Sequence, residues 1–340
     1  LKKNENIQLE LIQGEIIDIE KENEQYILSL QNNKRIKTDS VILAVGNFLP
    51  ADPVLKNMDY SYSPNYFRNP WDNEINHSLK RTDDILIIGT GLTMVDKILD
   101  TYHQIHKGKI YAISRNGYLP FTHYPCSRHQ KYPDYMEELL QASTTQELYS
   151  IIRRHIDAGI KSGIDWRVVV DTIRPSLPKI WDGLSLKEKK TFLRRVGSLW
   201  TVVRHRIPVI CADIIHLLKD KKQLQIVGGR ILEIIETDKG FTVAYLDKKE
   251  LIRKEIQVQK IINCSGPQLN PANTDSLLLK NLLNKGMICV DELGLGLNAL
   301  HDGRLLDKNN QVIPEFYTIG NGLKGILFEP TAIPEIRVQA

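Results

Sequence analysis

Two stretches of the chain alternate apolar and polar residues over short runs, and they do so in the same order. The first covers residues 9–47 and the second residues 224–267. Gly14, Ile16, Ile19 and Tyr26 match Gly229, Ile231, Ile234 and Phe241 at a constant shift of 215, and Gly46 matches Gly266 at a shift of 220. A fixed shift over several positions marks an internal repeat. Each copy predicts antiparallel strands joined by Asn, Lys and Gly turns, a small meander. Each then predicts a short apolar strand, 41–45 or 261–264, that stops on Gly46 or Gly266. Such a run, bounded by turn residues, reads as a strand buried on both faces of a sheet. A glycine at its end lets the backbone turn sharply or approach a ligand closely.

Between the copies, residues 84–88 (DILII) predict a buried strand, followed by Gly89-Thr90-Gly91-Leu92-Thr93-Met94 and an apolar helix from residue 95. Strand, G-x-G and helix together form a dinucleotide fingerprint. Gly89 makes the tight turn, Gly91 lets a pyrophosphate lie on the backbone, and the amides of Leu92 and Thr93 belong to the electropositive helix start. Met94 stands where a third small residue is usual, so looser helix–strand packing is expected there. Residues 109–113 predict the next strand, which ends at Ser114-Arg115. No Asp or Glu lies between Asp100 and Asp134. An acidic residue at this point holds an NAD ribose, whereas Arg accommodates a 2′-phosphate, so the expectation is NADP(H), the alternative being that Arg115 is a solvated surface residue.

Residues 134–222 change character. Thr144-x-x-Glu147 and Ser185-x-x-Glu188 are capping boxes in sequence. The second should open one helix carrying Phe192, Leu193, Val196, Leu199, Trp200 and Val203 at helical spacing. Arg194, Arg195, Arg204, His205 and Arg206 make a basic cluster that could grip an anion or serve as a solvated helix face. Near the C-terminus, residues 315–319 predict a strand ending at Gly320-Asn321-Gly322, and residues 332–340 a helix start. The fold class expected is α/β, with Rossmann-like dinucleotide-binding domains, β-meanders and a helical insertion.

Composition narrows the picture. The chain has 340 residues, 42% hydrophobic and 25% charged, with 45 Lys+Arg against 41 Asp+Glu, a net +4. That excludes wholesale disorder, and no apolar run is long enough to span a bilayer. The small, dispersed charge gives no reason to expect a nucleic-acid partner. The four cysteines, Cys126, Cys211, Cys264 and Cys289, form no C-x-x-C pair, which removes a dithiol redox motif and suits a reducing, cytoplasmic setting. His123-x-x-Cys126-x-x-His129 has soft ligands, but its Tyr, Pro and Arg neighbours supply none of the further donors zinc needs, so no metal is expected. These residues are expected at the mouth of the dinucleotide cleft. Asp96 reads as a structural or capping group, and no catalytic acid or base emerges.

The segments AVGN at 44–47, IIGTGLTMVD at 87–96, SRNGYLP at 114–120, INCSGP at 262–267 and FEPTAIPEIRVQA at 328–340 form a series. With them the chain resembles the FAD/NAD(P)-binding oxidoreductases of the bacterial YdhS type. More broadly it is similar to the two-dinucleotide-binding-domain flavoproteins, which include flavin monooxygenases. The resemblance implies residues 1–50 as a remnant of the FAD-binding domain, 51–80 as a linker containing Asn69-Pro70-Trp71, and 81–133 as the NADP-binding Rossmann part. It further implies 134–222 as the insertion, 223–266 as the second meander with the return crossing, and 267–340 as the C-terminal part of the FAD domain. NADP(H) would meet Gly89, Gly91, Leu92, Thr93, Ser114, Arg115 and Gly266. FAD would meet Gly46, Gly320, Asn321, Glu329, Thr331 and Ala332. Two departures stand out. The family's first strand–GxGxxG–helix is absent upstream of the first meander, so the sequence is a fragment or the half-site has been lost. Asn321 also replaces the Asp common in the wider superfamily. The implied activity is hydride transfer from NADPH to FAD, monooxygenase-like, serving a small-molecule substrate or electron acceptor. The rival is a non-enzymatic NADP(H) sensor whose insertion moves on binding.

Overall fold

The computed structural model describes residues 8–123 and 130–340, which form two units: residues 1–46 with 269–340, and residues 47–268. The first meander is built as its alternation predicts. Strands β1 (Ile16–Glu22), β2 (Gln25–Leu30) and β3 (Arg35–Thr38) pair antiparallel in that order. Asn23 and Asn33 take positive φ in the two turns, a conformation their short polar side chains tolerate. The strand after the meander, β4 (Val41–Leu43), is shorter than expected. It is also not buried on both faces, since Val41 and Leu43 point into the core while Ile42 is 59% exposed. Period-2 alternation is the cause: β4 bonds to one neighbour only, and its outward side chain meets no covering layer within this unit.

The second unit carries a seven-stranded sheet. β5 (Tyr66–Phe67), helix α1 (Glu74–Ser78), β6 (Ile85–Ile88), α2 (Leu92–His103) and β7 (Ile110–Ser114) come first. The insertion follows with α3 (Met136–Gln141), α4 (Thr145–Lys161), α5 (Trp166–Asp171), α6 (Leu177–Gly183), α7 (Leu186–Arg195), α8 (Gly197–Arg204) and α9 (Val209–Asp220). The chain then returns through β8 (Leu224–Thr237), β9 (Gly240–Asp247), β10 (Arg253–Val258) and β11 (Lys260–Asn263). The spatial order is β10-β9-β8-β7-β6-β11-β5, parallel from β5 through β8 and antiparallel beyond. One long strand makes the change. The first residues of β8 pair with β7 and its later residues with β9. β6 is buried along its whole length, as a continuous apolar run in a doubly covered sheet requires. Met94 is fully buried in the core between α2 and the sheet, so the expected looseness is absent: its flexible thioether fills the gap a small residue would close.

In the insertion, Thr144 and Glu147 form the expected capping box on α4. The second pair differs. Ser185 accepts from the Glu188 amide, but the Glu188 carboxylate accepts from the Thr145 amide instead of turning back, so one helix helps cap another. The single helix expected behind Ser185 is two, broken between α7 and α8 at Val196-Gly197, where Gly costs ~1 kcal/mol in a helix interior. The break lets Phe192 stack edge-on against both Trp181 and Trp200.

The chain re-enters the first unit with α10 (Leu277–Asn284), β12 (Arg304–Leu306), β13 (Val312–Thr318), α11 (Lys324–Leu327) and α12 (Ile333–Gln339). β13 starts three residues earlier than expected and pairs parallel with β4 and antiparallel with β12. Among the described residues no helix is long and apolar enough to cross a membrane.

At the far end of α2, His106 is 8% exposed and its Nε2 has no hydrogen-bond partner among the described residues. Burial pushes its pKa below the ordinary value, against a backbone hydrogen bond to Asp83 and the charges of Asp83 and Asp84. The unfolded chain therefore binds a proton more readily than the folded one between that lowered value and about 6.5. Stability must fall as pH drops through this window. His106→Leu should show a smaller loss of Tm than the parent protein when pH is taken from about 7 to 5.

Candidate nucleotide site

The sheet of the second unit dictates where a ligand can lie. From β6 the chain moves through α2 to β7 and then β8 on one side, while β11 lies on the other side of β6. The chain thus diverges at β6, and in open α/β sheets such a switch point, beyond the carboxyl ends of β6 and β11 here, is where ligands bind. Gly89 ends β6 with φ +111°, and a Cβ on it would come within 2.3 Å of the Cys264 carbonyl oxygen. Only glycine lets the turn press against the end of β11 in this way. Gly91 is the reverse case: a Cβ there would meet nothing within 4 Å. It is the N-cap of α2 and no side chain caps the helix, whose first intrahelical bond runs from Val95 N–H to Gly91 O. The amides that open α2, including Leu92 and Thr93, are therefore unclaimed by the helix and face an open edge.

Thr90, the residue between the two glycines, is 5% exposed. Its hydroxyl donates to the Tyr118 carbonyl at 2.6 Å and lies 2.8 Å from Ser114 Oγ. With the Thr90 proton spent on Tyr118, Ser114 must donate to Thr90, and it also accepts from the Gly117 amide at 3.0 Å. Ser114 is thus committed to holding two turns together, and it offers a ligand no free proton. Arg115 sits at the tip of the second turn, exposed, with no ion pair to any described residue. Around it, Gly117 has φ +64° and lies against the Gly228 backbone, while Lys248 holds the Asn116 side chain at 2.7 Å. A rigid turn therefore presents a guanidinium that no described residue pairs.

Gly266 follows β11 with φ +94° and open space at its Cβ position. The end of β11 is set by Asn263, which is fully buried. Its Nδ2 donates to the Ala51 carbonyl at 3.0 Å and to the Tyr66 hydroxyl at 3.1 Å, and Tyr66 donates to Asp52 at 2.6 Å. Its Oδ1 accepts from both the amide and the hydroxyl of Ser265. Thr90 and Asn263 were not legible as organisers from sequence; a polar residue inside an otherwise apolar strand end was the available signal. Cys264 is not a nucleophile, because burial pushes its thiol up to about 12. Asp96 is raised by burial and by Asp100, with Lys97 opposing, and it lies on the outer side of α2. Lys97 itself is buried, paired with Asp100 at 2.7 Å under the Trp71 ring.

In the first unit, parallel neighbours β4 and β13 both end in glycine turns. Gly46 has φ +66° and Gly320 φ +64°, and neither would place a Cβ within 4 Å of another atom. Asn321 Nδ2 donates to the Gly46 carbonyl and joins the two turns. Gln339 of α12 accepts from the Gly320 amide at 2.7 Å and donates to Pro330 at 2.8 Å, which closes the C-terminal loop on itself. Phe328 holds φ +66° with its ring buried, a strained position for a non-glycine residue. Glu329 is half-buried on that loop, Thr331 and Ala332 are exposed, and α12 is only seven residues long. Burial lowers the Lys324 pKa, and the charge of Glu329 opposes the shift.

The His123-x-x-Cys126-x-x-His129 motif is not open to description, since Cys126 and His129 lie outside the described residues. Among the described residues no group of three His, Cys, Asp or Glu could hold a metal.

Residues 1–48 match a family described as FAD-NAD(P)-binding. A comparison with curated protein sequences gives no match. Among solved structures the chain is similar to L-lysine 6-monooxygenase from Pseudomonas syringae (TM-score 0.59, 13% identity, 96% of this chain and 67% of that one). It is similar also to the reduced form of ornithine hydroxylase from Pseudomonas aeruginosa (0.56, 13%, 96% and 68%). A third is an ornithine N-hydroxylase from Kutzneria sp. 744 in complex with reduced FAD, NADP+ and L-ornithine (0.55, 9%, 92% and 66%). The chain thus spans about two thirds of these proteins and has the Rossmann-type fold of two-dinucleotide-binding flavoproteins.

The two fingerprint glycines should respond oppositely to substitution. Gly89→Ala should cost more than about 1 kcal/mol, because it adds both strain and a backbone clash. Gly91→Asp should leave stability unchanged or raise it by a few tenths of a kcal/mol, by supplying the missing cap. Chemical denaturation of the two variants measures both.

Proposed function

We propose that this chain carries the catalytic core of a flavin-dependent NADPH oxidoreductase of monooxygenase-like type, within the YdhS-type group of flavoproteins. One observation carries the reading: the uncapped start of α2, opening beyond Gly89 with Gly91 facing empty space. Backbone amides and the helix dipole there suit a pyrophosphate. Arg115, held on a rigid turn without a partner of its own, suits a 2′-phosphate, and Ser114 serves as its scaffold. Gly266 keeps the β11 side of the crevice free of side chains. In the first unit, Gly46, Gly320 and Asn321 leave an open backbone cradle, with Glu329, Thr331 and Ala332 on the loop beyond, and these residues would hold FAD. When bound, NADPH supplies the hydride and FAD accepts it. The chain's own part is to bind, orient and exclude water. The structural neighbours are named for lysine and ornithine, which are small molecules, and a small-molecule substrate or electron acceptor is proposed for this chain.

Two measurements test the proposal. The protein reconstituted with FAD should be yellow and should bleach anaerobically with NADPH. A colourless protein that binds NADPH without turnover would favour the sensor alternative. Arg115→Ala should weaken NADPH about ten- to a hundred-fold while leaving NADH nearly unchanged, since it removes a charge-assisted contact to the 2′-phosphate alone. Equal losses for both nucleotides would refute the role of Arg115.

A further inference from the structure

The turn that carries Arg115 is backed by a second cationic element. A Cβ on Gly228 of β8 would lie 3.0 Å from the Asn116 carbonyl oxygen, so β8 presses directly against the turn. The Gly228 carbonyl accepts from the Lys248 amide at 2.9 Å, which brings the hairpin between β9 and β10 to the same place. Lys248 Nζ then donates to Asn116 Oδ1 at 2.7 Å. Backbone and side chain of Lys248 are thus both anchored, and its ammonium stands beside the residue that follows Arg115. Asn116 takes one of the ammonium protons and neutralises none of the charge.

The hairpin sorts its charges. Asp247 accepts from the amides of Lys249 and Glu250 at 2.8 and 3.0 Å, and from Lys254 Nζ at 3.2 Å. Glu250 accepts from the same Lys254 at 2.6 Å, while Glu233 and Glu255 both accept from Arg253. The acidic side chains of the hairpin therefore answer Lys254 and Arg253. Lys248 is exposed and makes no ion pair with a described residue, although carboxylates lie one and two positions away in the chain. A lysine tied to a neutral amide keeps its full charge at the turn.

We propose that Lys248 determines nucleotide specificity, as a second cation that joins Arg115 on the 2′-phosphate. The inference rests on the NADPH reading of the second unit. A phosphate monoester carries about −1.5 to −2 charge at neutral pH, more than one guanidinium balances. The two cations also differ in what they offer. Arg115 presents a planar fork suited to two oxygens side by side, and Lys248 a point charge with protons left for a third. The 2′-hydroxyl of NADH carries no charge and gains nothing from Lys248. Asn116 is a positioning residue: it holds the ammonium in place beforehand, so that no loose lysine has to be ordered when the nucleotide arrives.

Isothermal titration of the full chain with 2′,5′-ADP, which carries the 2′-phosphate, and with 5′-AMP, which lacks it, reads the contribution directly. The parent protein should prefer 2′,5′-ADP. Lys248→Gln should weaken 2′,5′-ADP about five- to ten-fold, flatten its salt dependence and leave 5′-AMP unchanged. Lys248→Arg should keep most of the affinity. Lys249→Gln removes an equal charge from the same hairpin, one whose ammonium makes no hydrogen bond to the turn among the described residues, and should change binding by less than about two-fold. Equal losses in the two Gln variants would mean a diffuse field and overturn the proposal. An undiminished preference for 2′,5′-ADP in Lys248→Gln overturns the role of Lys248 and leaves the NADPH reading intact. No preference in the parent protein refutes that reading, and the proposal with it.

Discussion

The second unit depends on a backbone-to-backbone approach: the turn after β6 lies so near the Cys264 carbonyl that no side chain fits between them. That contact fixes where β6 ends relative to β11, and so where α2 begins. Everything at the carboxyl edge of the sheet follows. Gly91 is left in the open, the first amides of α2 are left unclaimed, and Thr90 is turned inward to lock Ser114 and Tyr118. A turn built from hydrogen bonds that are all satisfied internally can be rigid while still presenting free donors outward. This preorganisation is what a phosphate site requires, because donors already in place cost no reordering when the anion arrives.

The same economy appears at the end of β11. Asn263 is a fully buried amide whose donors and acceptor are all engaged, by Ala51, Tyr66 and Ser265. A buried polar group satisfied on every side rigidifies its surroundings, whereas a partly satisfied one destabilises them. The insertion is organised by longer-range ties. Glu188 caps the neighbouring helix, and Arg167 and Arg206 both lie over the Trp166 ring. The basic cluster seen in sequence is therefore partly consumed within the insertion: Arg204 and Arg206 both answer Asp171, and Arg206 is almost fully buried.

Much of the architecture was legible in the chain itself. Repeat, meanders, buried β6 and the capping box on Thr144 depend on local periodicity and on groups within four residues of each other, which sequence displays directly. The misreadings share a cause. Whether Glu188 turns back to Ser185 or across to Thr145 depends on which helix lies alongside. Whether Phe192 to Val203 is one helix or two depends on the aromatic packing available to a broken one. The exposure of Ile42 depends on what covers a strand, and Met94 was misjudged because a flexible side chain can fill a space that volume rules reserve for a smaller one.

For the site, the sequence determined the chemistry on offer: glycines where backbone must be bare, an arginine without an acidic competitor, and thiols too scattered to act as a pair. These are properties of residue type and spacing. Only the tertiary structure decided their roles, because hydrogen bonds between distant residues decide which polar groups remain free. Ser114 and Arg115 are adjacent in the chain and looked equivalent as ligands. Folding commits the hydrogen-bonding capacity of the first to Thr90 and Gly117, and leaves the second with no ion pair to a described residue at the tip of its turn.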